Sequence, residues 1–280
     1  MANEIHMING VNVYTEWYEC TDQERGAASK RLFILVHGIF SSTFSFLPLL
    51  PELRKSGDVL AVDLPGFGKS EKGRRAGFSY QDYANLLEDL LQKVAAEKTI
   101  IAVGHSMGGQ VLLRLAKGNS SLLHQLVLLA PSLYLPQSKL AFRYVAKLPF
   151  FSQWLKRYIK KKRVEDVLKS VFYDPAFVTK ERIAAYEEPL KEPSFYRSLS
   201  RFIFQREGDL DSAEIQELTL PILVIWGKED RILPVKLGRR FCHDIAHASL
   251  VELEHTGHLL SEEKPERVAA EIRDFINHYR

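Results

Sequence analysis

Uninterrupted apolar runs recur along the chain at residues 32–36, 59–62, 100–103, 126–129 and 222–226, and each ends at a glycine, a polar residue or an alanine-proline pair. Runs of this length without polar alternation fit strands covered on both faces. Between them the period changes. After Ser79, a suitable helix cap, Tyr83, Leu86, Leu87, Leu90, Leu91 and Val94 repeat every three or four residues, and Val111, Leu112 and Leu115 do so after residue 106. Strand and helix in alternation predict a mostly parallel central sheet with helices on both faces, an α/β fold. The start of the chain differs: residues 5–18 alternate partly around Asn9-Gly10, which predicts a β-hairpin, and a polar connector covers residues 21–30. Near the other end, a helix is expected from Pro234 onward and a short strand at 250–253. Pro265 then opens a last helix with Val268, Ile272, Phe275, Ile276 and Tyr279 inward.

From residue 133 to 213 no comparable strand run occurs, but helical stripes do. Phe151, Trp154, Leu155, Tyr158 and Ile159 share one face, and Val164, Val167, Leu168, Val171 and Phe172 another. A third segment starts at Thr179 and is expected to end before Pro189, and a fourth spans 194–204. The organisation read from this is a core of residues 1–132 and 214–280, with a helical block of residues 133–213 inserted between two sheet strands.

With 280 residues, 46% of them hydrophobic, the chain can bury a large core. Cys20 and Cys242 stand far apart in no metal spacing, and neither a signal-type N-terminus nor a membrane-length apolar run is present; a cytoplasmic protein is expected. The net charge of +3 is unevenly spread, because residues 139–163 hold nine Lys or Arg and no Asp or Glu. The basic aromatic stretch from Phe151 to Arg163 could contact an anionic membrane surface peripherally. The alternative, aromatics packed inward with solvated lysines, is favoured here because aromatic stripes usually belong to cores.

The strongest chemical signal is Gly104-His105-Ser106-Met107-Gly108, a G-x-S-x-G pattern with a strand before it and a helix after it. Glycines flank the serine because so tight a turn leaves no room for side chains, and the hydroxyl is thereby presented outward. The Met107 amide, at the helix N-terminus, is free to donate to an oxyanion. Gly68-Lys69-Ser70 invites a phosphate-loop reading, which fails because Asp63 stands where the pattern needs glycine. His243 and His247 have a metal-capable spacing, but Asp244 replaces the glutamate of the zinc protease pattern, so no metal is expected.

Together with His37-Gly38-Ile39-Phe40, Asp63 to Ser70, Gly227-Lys228-Glu229-Asp230 and Gly257-His258, this motif makes the chain resemble the α/β-hydrolase fold superfamily, in its serine-nucleophile branch with a helical cap. The resemblance implies roles in the order Ser106, Asp230, His258: nucleophile, orienting acid and base. Glu229 is the rival acid and His255 the rival base. It also implies an oxyanion amide at Ile39 to join that of Met107; Phe40, Phe44 and Phe46 then predict an apolar wall, with Phe40 and His105 expected at the substrate and His37 read as a turn-stabilising histidine. A serine at the elbow disfavours the relatives that use an aspartate nucleophile, such as epoxide hydrolases and haloalkane dehalogenases. Ile39-Phe40 after His37-Gly38 likewise departs from the triple-glycine loop of one lipase branch. The implied activity is hydrolysis of small or medium apolar carboxylic esters, without cofactor or nucleic acid. The alternatives are carbon–carbon hydrolysis of vinylogous diketones and a ligand-binding signalling role with slow turnover.

Overall fold

A computed structural model describes residues 2–21, 30–73, 75–95 and 97–279, so Met1 and most of the predicted connector lie outside the described residues. Strands β1 (Ala2–Ile8) and β2 (Val11–Tyr18) form the expected hairpin, turning through Asn9 and Gly10 at positive φ. The apolar runs become β3 (Arg31–Val36), β4 (Asp58–Val62), β5 (Thr99–His105), β6 (Gln125–Leu129) and β7 (Ile222–Gly227), and β8 (Ala248–Leu253) follows. They join one sheet in the order β1-β2-β4-β3-β5-β6-β7-β8, antiparallel at the hairpin end and parallel from β4 to β8. Parallel pairing brings the loops after Val36, Val62, His105, Leu129, Gly227 and Leu253 to one edge. Open α/β sheets keep their sites at that edge.

Helices α1 (Leu50–Leu53), α2 (Tyr80–Val94) and α3 (Met107–Gly118) lie along the first half. Ser79 caps α2 as expected: its hydroxyl accepts from the Asp82 amide while the Asp82 carboxylate accepts from the Ser79 amide. Between β6 and β7 stand α4 (Leu140–Ala146), α5 (Phe151–Lys160), α6 (Val164–Val171), α7 (Lys180–Lys191), α8 (Pro193–Gln205) and α9 (Ser212–Gln216). Asp209, whose side chain is buried, ties the two ends of this block together, accepting from the Ser132 hydroxyl at 2.8 Å and the Leu135 amide at 3.0 Å. Helices α10 (Lys236–Asp244), α11 (Leu260–Glu263) and α12 (Pro265–His278) complete the chain.

Three expectations shift. Helix α7 runs through Pro189, because a proline in the last turn removes only one hydrogen bond. Tyr279 lies just past α12 and is exposed, whereas Val268, Ile272, Phe275 and Ile276 are buried. In α5, Phe151 and Leu155 pack toward buried residues of α8, but Trp154 and Tyr158 are 49% and 50% exposed. The apolar stripe is wider than the surface α8 offers it. Among the described residues no helix is long and apolar enough to cross a membrane.

Leu128, fully buried in β6, and Phe150, 78% exposed ahead of α5, should therefore respond oppositely to truncation. Leu128→Ala is expected to cost about 2–5 kcal/mol in urea unfolding, and Phe150→Ser to stay within about 0.5 kcal/mol of the native protein.

Candidate functional site

Ser106 sits between β5 and α3 at φ 51° and ψ −114°, a left-handed conformation that a non-glycine residue adopts only under restraint. The restraint is visible. Its amide donates to the Leu129 carbonyl at 3.0 Å, and its carbonyl accepts from Ser132 at 3.0 Å and Gly109 at 3.1 Å. A Cβ on Gly108 would stand 2.1 Å from the Val36 carbonyl oxygen, and one on Gly104 would stand 2.7 Å from the Gly108 oxygen. Only glycine lets the first turn of α3 press against the end of β3.

Asp230 follows β7 and His258 follows β8, and the structure joins them: Nδ1 of His258 lies 2.7 Å from Oδ2 of Asp230. The other carboxylate oxygen accepts from the amides of Ile232 at 2.8 Å and Leu233 at 2.9 Å. A carboxylate so placed only accepts, so Nδ1 donates, and in the neutral imidazole Nε2 is then the acceptor. Glu229 instead accepts from the Thr256 amide at 3.0 Å, and His255 is turned to the Tyr173 hydroxyl at 3.1 Å. The Ser106 hydroxyl makes no hydrogen bond among the described residues; the ring of His105, its neighbour, lies tilted 4.8 Å from the His258 ring.

Two further buried carboxylates, which the sequence reading did not single out, follow the His258 loop: one binds the loop and the other binds α7. Glu263 accepts from the amides of Gly257 and Tyr173, while Glu262 accepts from the Tyr186 hydroxyl at 2.6 Å and Arg182 Nε at 2.9 Å. Burial pushes both carboxyls above the usual range, against the pull of these donors. The only sequence signal was an acidic pair shortly after His258. Val171 closes the loop from α6 by accepting the His258 amide at 2.9 Å.

His105, expected beside the substrate, is buried instead. Its Nε2–H donates to the His258 carbonyl at 2.9 Å, and Nδ1 is left without a partner, close to Gly38. Burial, reinforced by neighbouring His258, lowers its pKa to about 3. His37 braces its turn: the Leu64 amide donates to Nε2 at 3.0 Å and Nδ1–H donates to the Gly38 carbonyl at 2.7 Å, with burial again disfavouring the cation. The Asp63 to Ser70 segment is a self-bonded loop, with the Asp63 carboxylate accepting from Thr43 and Lys69.

The Ile39 amide has no acceptor among the described residues, and the Met107 amide precedes the ladder of α3. Phe40, at φ 61°, packs 5.8 Å from Phe195 and forms part of a cavity of about 270 Å³. Tyr158, Ile159, Val167, Leu168, Tyr186 and Leu190 line it too, with Lys162 the one charged side chain of the lining. Among the described residues no group of three His, Cys, Asp or Glu could hold a metal ion, and α10 ends at Asp244, so His243 and His247 do not share a helical turn.

Comparison with known proteins agrees with this architecture. A model described as "Alpha/beta hydrolase family" matches residues 33–271. The "Uncharacterized hydrolase YugF" of Bacillus subtilis (strain 168) is 37% identical over 269 residues, covering 96% of each chain. A "2-hydroxy-6-oxononadienedioate/2-hydroxy-6-oxononatrienedioate hydrolase" of Cupriavidus pinatubonensis (strain JMP 134 / LMG 1197) is 26% identical over 228 residues, 78% of this chain and 75% of that one. Among solved structures, "Epoxide hydrolase CorEH without ligand" superposes with a TM-score of 0.80 over 100% of this chain and 99% of its own, at 22% identity. That last likeness is one of fold.

Because His105 is held neutral, with its folded pKa below the unfolded value of 6.5, the unfolded chain binds the extra proton and stability falls as pH drops from 6.5 toward 3. The contribution is up to about 1.4 kcal/mol per pH unit. Urea midpoints taken from pH 7.5 downward should decline less steeply in His105→Gln than in the native protein. The paired comparison cancels Glu262 and Glu263, whose raised values act in the opposite sense.

Proposed function

The chain belongs to the alpha/beta hydrolase family, and from that premise we propose that it is a serine hydrolase working through a covalent acyl-enzyme on carboxylic esters of small or medium apolar acids. The observation that carries this reading is the 2.7 Å bond between Asp230 and His258, which leaves Nε2 of the imidazole free to accept a proton at the edge of the sheet where Ser106 turns. A serine hydroxyl is a poor nucleophile at neutral pH. In the proposed reaction Nε2 of His258 takes the Ser106 proton as Oγ bonds to the ester carbonyl carbon, and Asp230 stabilises the imidazolium that forms. The amides of Ile39 and Met107 donate to the oxyanion. Its collapse expels the alcohol, which receives the proton from His258. Water activated by the same imidazole then attacks the acyl-enzyme, releasing the acid and restoring Ser106.

In this reading residues 133–213 act as a cap, and the cavity beneath it sets acyl preference. The same reading has the enzyme act in the cytoplasm without a cofactor. The family relative whose name specifies a dienedioate hydrolase supports a second reading, carbon–carbon hydrolysis with the same triad. A dioate carries two carboxylates, whereas the cavity lining here is apolar apart from Lys162. That lining favours an uncharged acyl group and hence the ester.

Steady-state hydrolysis of p-nitrophenyl esters of increasing acyl length tests the proposal. Native protein should turn over, Ser106→Ala should lose at least about 10³-fold and Asp230→Asn about 10⁴-fold in kcat; a Ser106→Ala protein of native activity contradicts it. Val167→Phe, which narrows the cavity, should shift the preferred acid to a shorter chain while acetate turnover is kept, by roughly 10-fold or more against the longest good substrate.

A further inference from the structure

Helices α4 and α5 leave an unusual surface. Phe142, Val145, Leu148, Phe150 and Trp154 are all more than two-fifths exposed, and with Phe151 they line an open groove of about 330 Å³. Soluble chains seldom leave so many large apolar side chains contiguous and uncovered. Trp154 stacks on Phe151 at 5.2 Å and on Tyr158 at 5.5 Å, so the aromatic rings form one rigid ridge.

The same stretch carries the chain's basic block, nine Lys or Arg between residues 139 and 163 without an acid. Arg143 and Lys147 lie over the Phe204 ring and Arg163 pairs with Glu165. Arg157, Lys160 and Lys161 are exposed and make no ion pair among the described residues. Apolar ridge and uncompensated cations together select the occupant. A second copy meeting this face about a two-fold axis would set one basic block against another, which is repulsive. An anionic bilayer accepts both features, since rings settle at headgroup depth and lysines meet lipid phosphates.

We infer that α4 and α5 are a docking surface for an anionic lipid bilayer, which holds the protein peripherally. Tyr158 and Lys162, at the end of this surface, also line the apolar cavity that has Phe40 in its wall. Docking would therefore set that cavity beside the lipid. The inference stands on the surface alone and not on the ester-hydrolase reading.

Co-sedimentation with vesicles tests it, comparing phosphatidylcholine alone with a mixture containing about a third phosphatidylglycerol. Native protein and Ser106→Ala should partition onto the anionic vesicles equally, at least about tenfold more strongly than onto the zwitterionic ones, and high salt should weaken that binding. Phe150→Ser and the double change Lys160→Gln with Lys161→Gln should each lower the partition about tenfold or more, with unfolding midpoints kept. Equal partition onto both vesicle types, or none onto either, overturns the inference. So does a concentration-dependent dimer by light scattering that leaves vesicles unbound.

Discussion

Everything at the site depends on how closely α3 approaches β3. The first turn of the helix can reach the end of that strand only because residue 108 has no side chain: a Cβ there would lie 2.1 Å from the Val36 carbonyl oxygen. This contact fixes the sharp turn at Ser106 and sets Gly38 against it, so that the Ile39 amide follows directly. The left-handed backbone of Ser106 costs on the order of 1–3 kcal/mol. Its hydrogen bonds to Leu129 and Ser132 and the apolar strands on either side hold it in place. A strained residue is thus kept rigid by a sheet that has no freedom to relax around it.

The second half of the site is held by polar groups as well as by the packing of Leu259 on Leu168 and Phe172. His258 lies on a loop whose amides are taken up by three different partners: Thr256 by Glu229, Gly257 by Glu263 and His258 itself by the Val171 carbonyl. Val171 closes α6 and Glu262 binds Arg182 and Tyr186 of α7, so the helical block and the histidine loop are one connected network. Motion of the block relative to the sheet would strain these bonds. The position of the imidazole is therefore coupled to the helices that line the apolar cavity, and substrate recognition and proton transfer would share a structural support.

Local features were the most legible in the sequence. The strands were written as unbroken apolar runs, the cap of α2 as Ser79, and the elbow as glycines around Ser106, since each depends on residues close together in the chain; the reciprocal Asp82 bond that completes the cap appeared only in the fold. The separation of Asp230 from Glu229 and of His258 from His255 rested on family spacing, and only the folded loops reveal which pair meets. What could not be read was what covers what. The period of α5 gave a face, but not that α8 covers only its Phe151 and Leu155 edge. His105 adjoins the serine in sequence, yet strand geometry turns alternate side chains to opposite faces, and the ring went beneath the His258 loop. Glu262 and Glu263 matter through partners about six to ninety residues away, which no local pattern encodes.

That Ser106 is the nucleophile is tested most directly by covalent capture. The protein would be treated with a fluorophosphonate and the adduct located by peptide mass spectrometry. One phosphonyl group on Ser106, absent from Ser106→Ala and formed far more slowly in His258→Ala, is the predicted result. Labelling of another residue, equal labelling of Ser106→Ala, or no labelling of folded native protein would contradict it.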